Sequence, residues 1–200
     1  MPALAESRHA LCVTHLEKML GKLSGHAQMN RKGKYRSGLT LIITVYLFLQ
    51  GLGACNAFAS CPDLSLMGLD QKQHNLCEYI GNGKWTIVNI WGPKCPACIK
   101  ELPELVLFHD AHYTTDATVL GIALDFPSFG YAKIEEVTEV VESYLIDYPN
   151  LLADGGVSIH LGAHKLKGTP TNLVFNPNGE LVFQHVGIIT KDILKELIAQ

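Results

Sequence analysis

Residues 85–103 read WTIVNIWGPKCPACIKELP, and this stretch decides the fold. Its first seven residues are mostly β-branched, aromatic or aliphatic, and a run of this length predicts a buried strand. A helix is predicted from Cys95 to about His112, because Pro96 in its first turn lacks only an N–H that would have no partner there. Pro103 is expected to kink this helix. The two cysteines therefore lie where a buried strand turns into a helix.

This position gives the Cys95-Pro96-Ala97-Cys98 motif its chemistry. Unpaired N–H groups and the macrodipole at a helix N-terminus favour negative charge, which stabilises the thiolate of Cys95. Lys94 beside it either adds to this effect or points into water. Cys98, one turn further along, is placed to attack a mixed disulfide on Cys95 and so complete a two-electron exchange.

Two other interpretations of the motif are weaker. A zinc site needs a second pair of ligands, and the candidates nearby are His160 and His164, whose spacing could place them on one helical face. A structural disulfide between residues three apart closes a very small loop and stabilises little. The motif therefore indicates thiol–disulfide chemistry, and no metal site is predicted.

The remaining apolar segments alternate between strand and helix patterns. Ile134–Tyr148 has helical spacing, with Val137 and Leu145 on one side. Two strands that flank an Asn-Gly step are predicted to form a hairpin. The predicted elements are strands at 119–124, 173–175 and 181–183 and a helix at 192–199. This alternation predicts an α/β domain whose parallel strands are covered by helices.

The C-x-x-C motif and the residues around it resemble a known family. Residues 88–98, followed by Glu101-Leu102-Pro103, are similar to the active-site region of the thioredoxin superfamily, specifically its TlpA/ResA-like extracytoplasmic branch. Gly168-Thr169-Pro170-Thr171 matches the cis-proline loop of that family, and the resemblance extends over about residues 65–200. It implies a thioredoxin-like fold with a central mixed sheet and flanking helices. Lys94 departs from the pattern, because an aromatic residue is common there.

The resemblance also implies roles for individual residues. Thr169 and Pro170 would form an edge on which an extended substrate chain pairs as an added strand, with Pro170 in the cis form. Trp91 matches the aromatic pair of the family and is expected on the substrate-binding surface. Glu101 matches an active-site glutamate that can act as acid or base near the inner thiol. Asn89 occupies the position of the buried aspartate of thioredoxin and cannot relay a proton.

The N-terminal part of the chain has the features of an export signal. Four basic residues within 31–36 precede an apolar stretch from Leu39 to Leu52, and no charge occurs between Arg36 and Asp63. This order predicts a signal peptide at 29–59, with a retained membrane anchor as the alternative. A signal peptide begins with its basic region, but residues 1–28 precede that region and carry mixed charges. We therefore interpret them as an upstream extension and Met29 as the start.

Two cleavage sites compete at the end of the apolar stretch. Leu52-Gly53-Ala54-Cys55 resembles a lipobox, which would lipidate Cys55, and Ala57-Phe58-Ala59 would release a soluble chain that begins at Ser60. Either site leaves a domain at 60–200 outside the cytoplasm. Cys61 and Cys77 could pair in an oxidising compartment, or remain two unrelated thiols.

These observations predict an exported thiol–disulfide oxidoreductase with Cys95 and Cys98 as its redox disulfide, in the periplasm or at the outer face of a bacterial membrane. No organic cofactor is expected, because the dithiol itself carries the electrons. The resemblance implies a membrane electron donor and exported substrates such as apocytochrome c. The alternatives are a copper-handling protein and a binding module without turnover. The formal net charge of −3 makes nucleic acid an unlikely partner.

Overall fold

The computed structural model describes residues 61–199. The predicted upstream extension at 1–28, the predicted signal at 29–59 and both cleavage sites, including Cys55, lie outside the described residues. Within residues 61–199, no helix is long and apolar enough to cross a membrane.

A mixed sheet forms the centre of the domain. Its strands are β1 Ser65–Gly68, β2 Gln73–Asn75, β3 Trp85–Trp91, β4 Ala117–Asp125, β5 Gly130–Tyr131, β6 Asn150–Leu152, β7 Thr171–Phe175 and β8 Leu181–Val186. The helices are α1 Pro96–His112, α2 Ile134–Ser143, α3 Val157–His160 and α4 Lys191–Ile198, and a 3₁₀ turn spans Leu76–Glu78. This arrangement confirms the predicted α/β class.

The strand order places β3 in the interior of the sheet. The order is β2-β1-β6-β4-β3-β7-β8, and β5 pairs with β4. β3 runs parallel to β4 and antiparallel to β7, and β4 runs parallel to β6. The sheet is therefore mixed, as the family resemblance implied, and β8 is one of its edges.

Side chains along β3 alternate between the two faces of the sheet, and each face has its own apolar core. Ile87 and Trp91 pack on the α1 face with residues such as Phe108, whereas Val88 and Ile90 pack on the opposite face. Side chains two apart on a strand share a face, so Asn89 points towards α1 among apolar neighbours. A polar residue in this position requires hydrogen-bond partners, and they belong to the candidate site.

The prediction of one helix over 134–148 was too long. α2 ends at Ser143, and Leu145 adopts a left-handed backbone conformation with φ 51°. Its side chain is 82% exposed, although the helical pattern placed it on the buried side. The chain then turns inward, so that Ile146 and Tyr148 are buried before β6 begins. The apolar pattern of the sequence continues through this turn, because both the helix before it and the extended segment after it contain buried apolar residues.

The sequence patterns did not predict the shortest strands and helices. β6 has three residues, α3 has four, and the β1–β2 hairpin has strands of four and three residues. These lengths are too short to display a period, and such strands form because neighbouring strands supply their hydrogen bonds. The predicted hairpin between β7 and β8 is confirmed.

Candidate active site

The two cysteines of the C-x-x-C motif lie at the start of α1. Cys95 is the N-cap residue, with extended backbone angles, and it forms a disulfide with Cys98. The backbone N–H of Cys98 donates to the Sγ atom of Cys95 at 3.2 Å. Pro96 stands at the first helical position, where an N–H would have no partner inside the helix. The missing N–H of proline therefore costs the helix no hydrogen bond.

A helix N-terminus is a favourable place for a thiolate. After reduction, the Sγ atom of Cys95 would carry negative charge beside N–H groups that have no partner inside the helix. α1 is 17 residues long, so its peptide dipoles are aligned over several turns behind this atom. The geometry therefore lowers the cost of ionising Cys95 relative to a thiol in plain apolar surroundings.

The loop before β7 meets this end of α1. The peptide bond between Thr169 and Pro170 is cis, as the family resemblance implied. The Sγ atom of Cys95 lies 3.5 Å from the backbone carbonyl oxygen of Thr169. The structure thus brings Cys95, Cys98, Thr169 and Pro170 together from two segments that are about 70 residues apart in sequence.

Glu101 is a buried carboxylate on the same helix, three residues after Cys98. Three N–H groups from three other segments donate to it. They are Nδ2 of Asn89 at 2.8 Å, Nδ2 of Asn172 at 2.8 Å and the backbone N–H of Ile189 at 2.7 Å. Asn89 Nδ2 also donates to Asn172 Oδ1 at 2.9 Å, which joins the two amides into one network.

This network decides the protonation behaviour of Glu101. Burial raises the pKa of the carboxyl above its ordinary value, and the three hydrogen bonds oppose that rise without overcoming it. No cation contacts the carboxylate within residues 61–199. A carboxyl in these surroundings can exchange a proton nearer to neutral pH than an ordinary glutamate.

One atom beside the carboxylate has no partner. Asn89 Oδ1 is buried, and no donor within the described part of the chain reaches it. A buried acceptor of this kind costs about 1–3 kcal/mol unless water or a protonated group satisfies it. The atom is therefore available to accept a hydrogen bond next to Glu101.

Lys94 pairs with two carboxylates outside the C-x-x-C motif. Its Nζ atom lies 2.9 Å from Glu136 Oε2 on α2 and 3.8 Å from Asp125 Oδ1 at the end of β4. These carboxylates raise the pKa of Lys94, so it stays charged, but they also neutralise its field. The sequence left two alternatives for Lys94, which were support of the Cys95 thiolate and contact with water alone. Its ion pairs with two carboxylates match neither of them.

Trp91 does not have the predicted position on the substrate surface. Its side chain is fully buried, and its Nε1–H donates to Asn150 Oδ1 at 3.0 Å. A side chain at residue 121 would collide with the amide of Asn150, so Gly121 leaves room for this contact. In this structure Trp91 packs the core behind the motif and has no surface with which to touch a substrate.

The histidine pair considered as a metal site is not on one helical face. α3 ends at His160, and Gly162 has φ 76°, which turns the chain before His164. Within residues 61–199, no group of three or more His, Cys, Asp or Glu side chains is arranged to hold a metal ion.

Cys61 and Cys77 form a second disulfide, which decides between the two alternatives left open by the sequence. It joins the chain before β1 to the 3₁₀ turn, 16 residues further along. Asn75 caps that turn by accepting from the N–H of Cys77, and Glu78 accepts from the N–H of Asn75. This disulfide therefore fastens the entry of the chain to the domain.

Sequence reasoning missed two members of the site. Asn172 and the N–H of Ile189 bind Glu101 from segments far along the chain. Asn172 gave a usable signal, because it is an amide inside an apolar strand two residues after Pro170. Ile189 gave none, since any residue other than proline offers a backbone N–H.

Comparisons with known proteins identify the family of this chain. The AhpC/TSA family matches residues 59–184. The thiol-disulfide oxidoreductase ResA of Halalkalibacterium halodurans is 24% identical over 116 residues, covering 58% of this chain and 61% of that protein. The sporulation thiol-disulfide oxidoreductase A of Bacillus subtilis is 27% identical over 165 residues, covering 78% of this chain and 94% of that protein.

A solved structure supports the fold. The thiol:disulfide interchange protein of the thioredoxin family from Chlorobium tepidum has a TM-score of 0.60 and 22% identity, covering 70% of this chain and 92% of that one. This likeness shows the thioredoxin fold. Because the family match spans more than half of the sequence and includes the C-x-x-C helix start, the chain belongs to the AhpC/TSA family and is a thiol–disulfide oxidoreductase of the ResA type.

Proposed function

We propose that this protein reduces disulfides in other exported proteins, with Cys95 as the attacking thiol and Cys98 as the resolving thiol. One observation carries the proposal: the Sγ atom of Cys95 lies both at the N-terminus of α1 and 3.5 Å from the carbonyl of Thr169. The position at the helix N-terminus favours a thiolate on Cys95. The carbonyl of Thr169 belongs to a backbone edge on which a peptide can dock, so the thiolate would lie beside a bound substrate.

The exchange proceeds in two balanced steps. The Cys95 thiolate attacks one sulfur of the substrate disulfide, which forms a mixed disulfide and releases the other sulfur as a thiolate that takes up a proton. Cys98 then loses its proton and attacks the Sγ atom of Cys95, which releases the second substrate sulfur. Two electrons pass to the substrate, and the Cys95–Cys98 disulfide remains.

Glu101 would receive the proton that Cys98 loses in the second step. It follows Cys98 by three residues on α1, so the two side chains lie on neighbouring turns of one helix face. Its raised pKa suits a group that must both take and return a proton near neutral pH. Asn89 and Asn172 would hold the carboxylate in place during this transfer.

Thr169 and Pro170 would form the docking edge. A cis peptide bond directs the carbonyl of Thr169 towards Cys95, where an extended substrate strand could donate a hydrogen bond to it. No organic cofactor is required, since the dithiol carries the electrons. Substrates would be exported proteins such as apocytochrome c, and a membrane donor would return electrons to the pair.

The site of action would be the periplasm or the outer face of a bacterial membrane. The predicted signal at 29–59 supports export, and so does the Cys61–Cys77 disulfide, because such bonds persist in oxidising compartments. Mass spectrometry of the mature protein should find either a diacylated Cys55 or an unmodified Ser60 at the N-terminus. An intact peptide that spans residues 48–63 would exclude both cleavage sites.

The direct test of the function combines turnover and potential. The reduced protein should accelerate the reduction of insulin, and its reduction potential should lie nearer to about −270 mV, as in thioredoxin, than to about −120 mV, as in DsbA. A potential near the second value would overturn the reductase assignment in favour of an oxidase. Stoichiometric Cu(I) binding without insulin reduction would favour the copper-handling alternative.

A further inference from the structure

A groove runs along the outer edge of the sheet towards the candidate active site. One wall is the loop between α3 and β7, and the other wall is β8, which is the last strand of the sheet within residues 61–199. We call it the basic groove and define it by His164, Lys165 and Lys167 on the loop and Val182, Gln184 and Val186 on the strand. Its wider part encloses about 320 Å³.

The strand side of the basic groove is apolar at two positions. Gln184 and Val186 are two residues apart on β8 and point to the same face of the sheet, whereas Val182 lies at a β-bulge in the pairing of β8 with β7 and lines the neighbouring part of the groove. Val182 and Val186 are 52% and 46% exposed, which is unusual for valines on a strand. Between them, Gln184 Oε1 accepts from the backbone N–H of His164 at 3.4 Å and ties the loop to the strand.

The loop side carries two lysines, and the nearest acidic side chain that shares a cavity with either of them is Asp154, which lines a neighbouring cavity with Lys165. Lys165 and Lys167 are exposed, and neither makes an ion pair or side-chain hydrogen bond within residues 61–199. Lys100, Lys133 and Lys195 also lack an ion pair within the described residues, whereas Lys94 contacts Glu136 and Lys191 contacts Glu104, so it is the closeness of Lys165 and Lys167 to each other and to the groove that distinguishes them. Two cations beside exposed aliphatic side chains form a surface that suits a segment with both acidic and aliphatic residues.

The basic groove ends at the docking edge. Lys167 precedes Thr169 by two residues, and a Cβ atom at Gly168 would lie 3.9 Å from Cγ1 of Val186. The N–H of Gly187, next to Val186, donates to the carbonyl of Pro170 at 2.8 Å. A chain leaving the Thr169 edge along β8 would therefore enter the groove directly.

We propose that the basic groove is a subsite that selects substrate segments with acidic and aliphatic residues close to the cysteine being reduced. This inference rests on the proposed function, because it supplies specificity to the same exchange. An extended segment rises about 3.3 Å per residue, so residues a few positions from the substrate cysteine would be the ones that reach the groove. The occupant is a polypeptide in extended form, held by charge along one side and by apolar contact along the other.

Long-range electrostatics makes this inference testable. The whole chain has a formal net charge of −3, which by itself attracts basic peptides. A preference for acidic peptides would therefore have to arise from a local surface. The probes are two synthetic peptides with one internal disulfide each, identical except that Glu-Leu-Glu or Lys-Leu-Lys flanks both cysteines.

The measurement is the second-order rate of peptide reduction by the reduced full-length protein. The wild type should reduce the acidic peptide about tenfold faster than the basic one at low ionic strength, and high salt should shrink this ratio. Lys165→Gln/Lys167→Gln should bring the ratio to one or below, because the net negative charge of the chain then favours the basic peptide. The control Lys72→Gln/Lys133→Gln, which also removes two exposed charges far along the chain from this loop, should retain it.

Each outcome separates the two proposals. If the wild type reduces both peptides at equal rates, or the groove variant keeps the acidic preference, the subsite is refuted while the reductase function stands. If neither peptide is reduced although the dithiol is intact, the function itself falls and the subsite falls with it. Tighter binding of the wild type than of the groove variant to anionic lipid vesicles, without any peptide preference, would assign the lysines to a membrane surface instead.

Discussion

Two disulfides lie within residues 61–199, and their backbone surroundings differ. Cys95 caps a helix of 17 residues, and the N–H of Cys98 in the first turn donates to its sulfur. Cys77 lies in a 3₁₀ turn of three residues, and its Sγ atom lies 3.8 Å from the carbonyl oxygen of Pro62. The first setting favours a thiolate, and the second has no helix of several turns to supply a comparable dipole.

Exposure alone would rank these pairs in the wrong order. Cys95 and Cys98 are 2% and 0% exposed, whereas Cys61 and Cys77 are half-buried. Reactivity depends on the stability of the thiolate, and that stability follows from oriented dipoles and nearby charges. The comparison teaches that Cys95–Cys98 is suited to exchange electrons and Cys61–Cys77 to hold the chain.

The largest expected effect is the loss of activity on removal of the attacking thiol. Cys95→Ser should reduce insulin reduction to the background rate, because no thiolate remains at the start of α1. Cys98→Ser should instead accumulate mixed disulfides, which non-reducing gels would reveal. The matched control is Cys61→Ser/Cys77→Ser, which should keep full turnover. Adducts trapped by Cys95→Ser and not by Cys98→Ser would reverse the two roles.

Removal of the second disulfide should affect stability instead. Cys61→Ser/Cys77→Ser should lower the free energy of unfolding by about 3 kcal/mol, because the bond closes a loop of 16 residues and constrains the unfolded chain. Urea unfolding of the oxidised proteins measures this difference. Equal stability, combined with loss of activity, would mean that Cys61–Cys77 takes part in electron transfer.

Glu101→Gln should slow exchange by about 100-fold near neutral pH, since general acid–base groups contribute on that order. Stopped-flow exchange from about pH 5 to 9 is the measurement, and the variant should lose one titration step from the rate profile. Gln would place an NH₂ group opposite Asn89 Nδ2 and lose that one hydrogen bond, while its Oε1 could still accept from Asn172 Nδ2 and the N–H of Ile189, so a moderate loss of stability is expected beside the loss in rate. An unchanged profile would reduce Glu101 to a packing role.

The same variant should change how stability depends on pH. Because the pKa of Glu101 is raised in the folded state, the folded protein binds more protons than the unfolded one between the two pKa values. The wild type should therefore lose stability as pH rises from the unfolded pKa through the folded one. Glu101→Gln should lack this decline, which urea unfolding at several pH values would detect.

The smallest effect is expected at Asn172. Asn172→Ala removes one hydrogen bond to the Glu101 carboxylate, which should raise the pKa of Glu101 further. A charge-assisted hydrogen bond is worth about 1.5 kcal/mol, so the rate profile should move by about one pH unit to higher pH. Asn178→Ala, at an exposed position of the β7–β8 turn, is the control and should leave the profile in place.

The sequence by itself determined the elements whose physics is local. Residues 85–98 predicted a strand, a helix start and a redox pair, because β-branched composition, Pro96 and the C-x-x-C spacing all act within a few residues. The Asn-Gly step predicted the β7–β8 hairpin in the same way. The family resemblance added the mixed sheet and the cis form of Pro170, which local rules do not give.

Only the tertiary structure decided what depends on segments far apart in the chain. It buried Trp91, paired Lys94 with Glu136, joined Cys61 to Cys77 and surrounded Glu101 with N–H groups from β3, β7 and the segment before α4. These contacts follow from sheet order and helix packing, which no short window of sequence encodes. A carboxylate has an ordinary pKa until the fold removes water from it, and so the chemistry of Glu101 belongs to the packed protein.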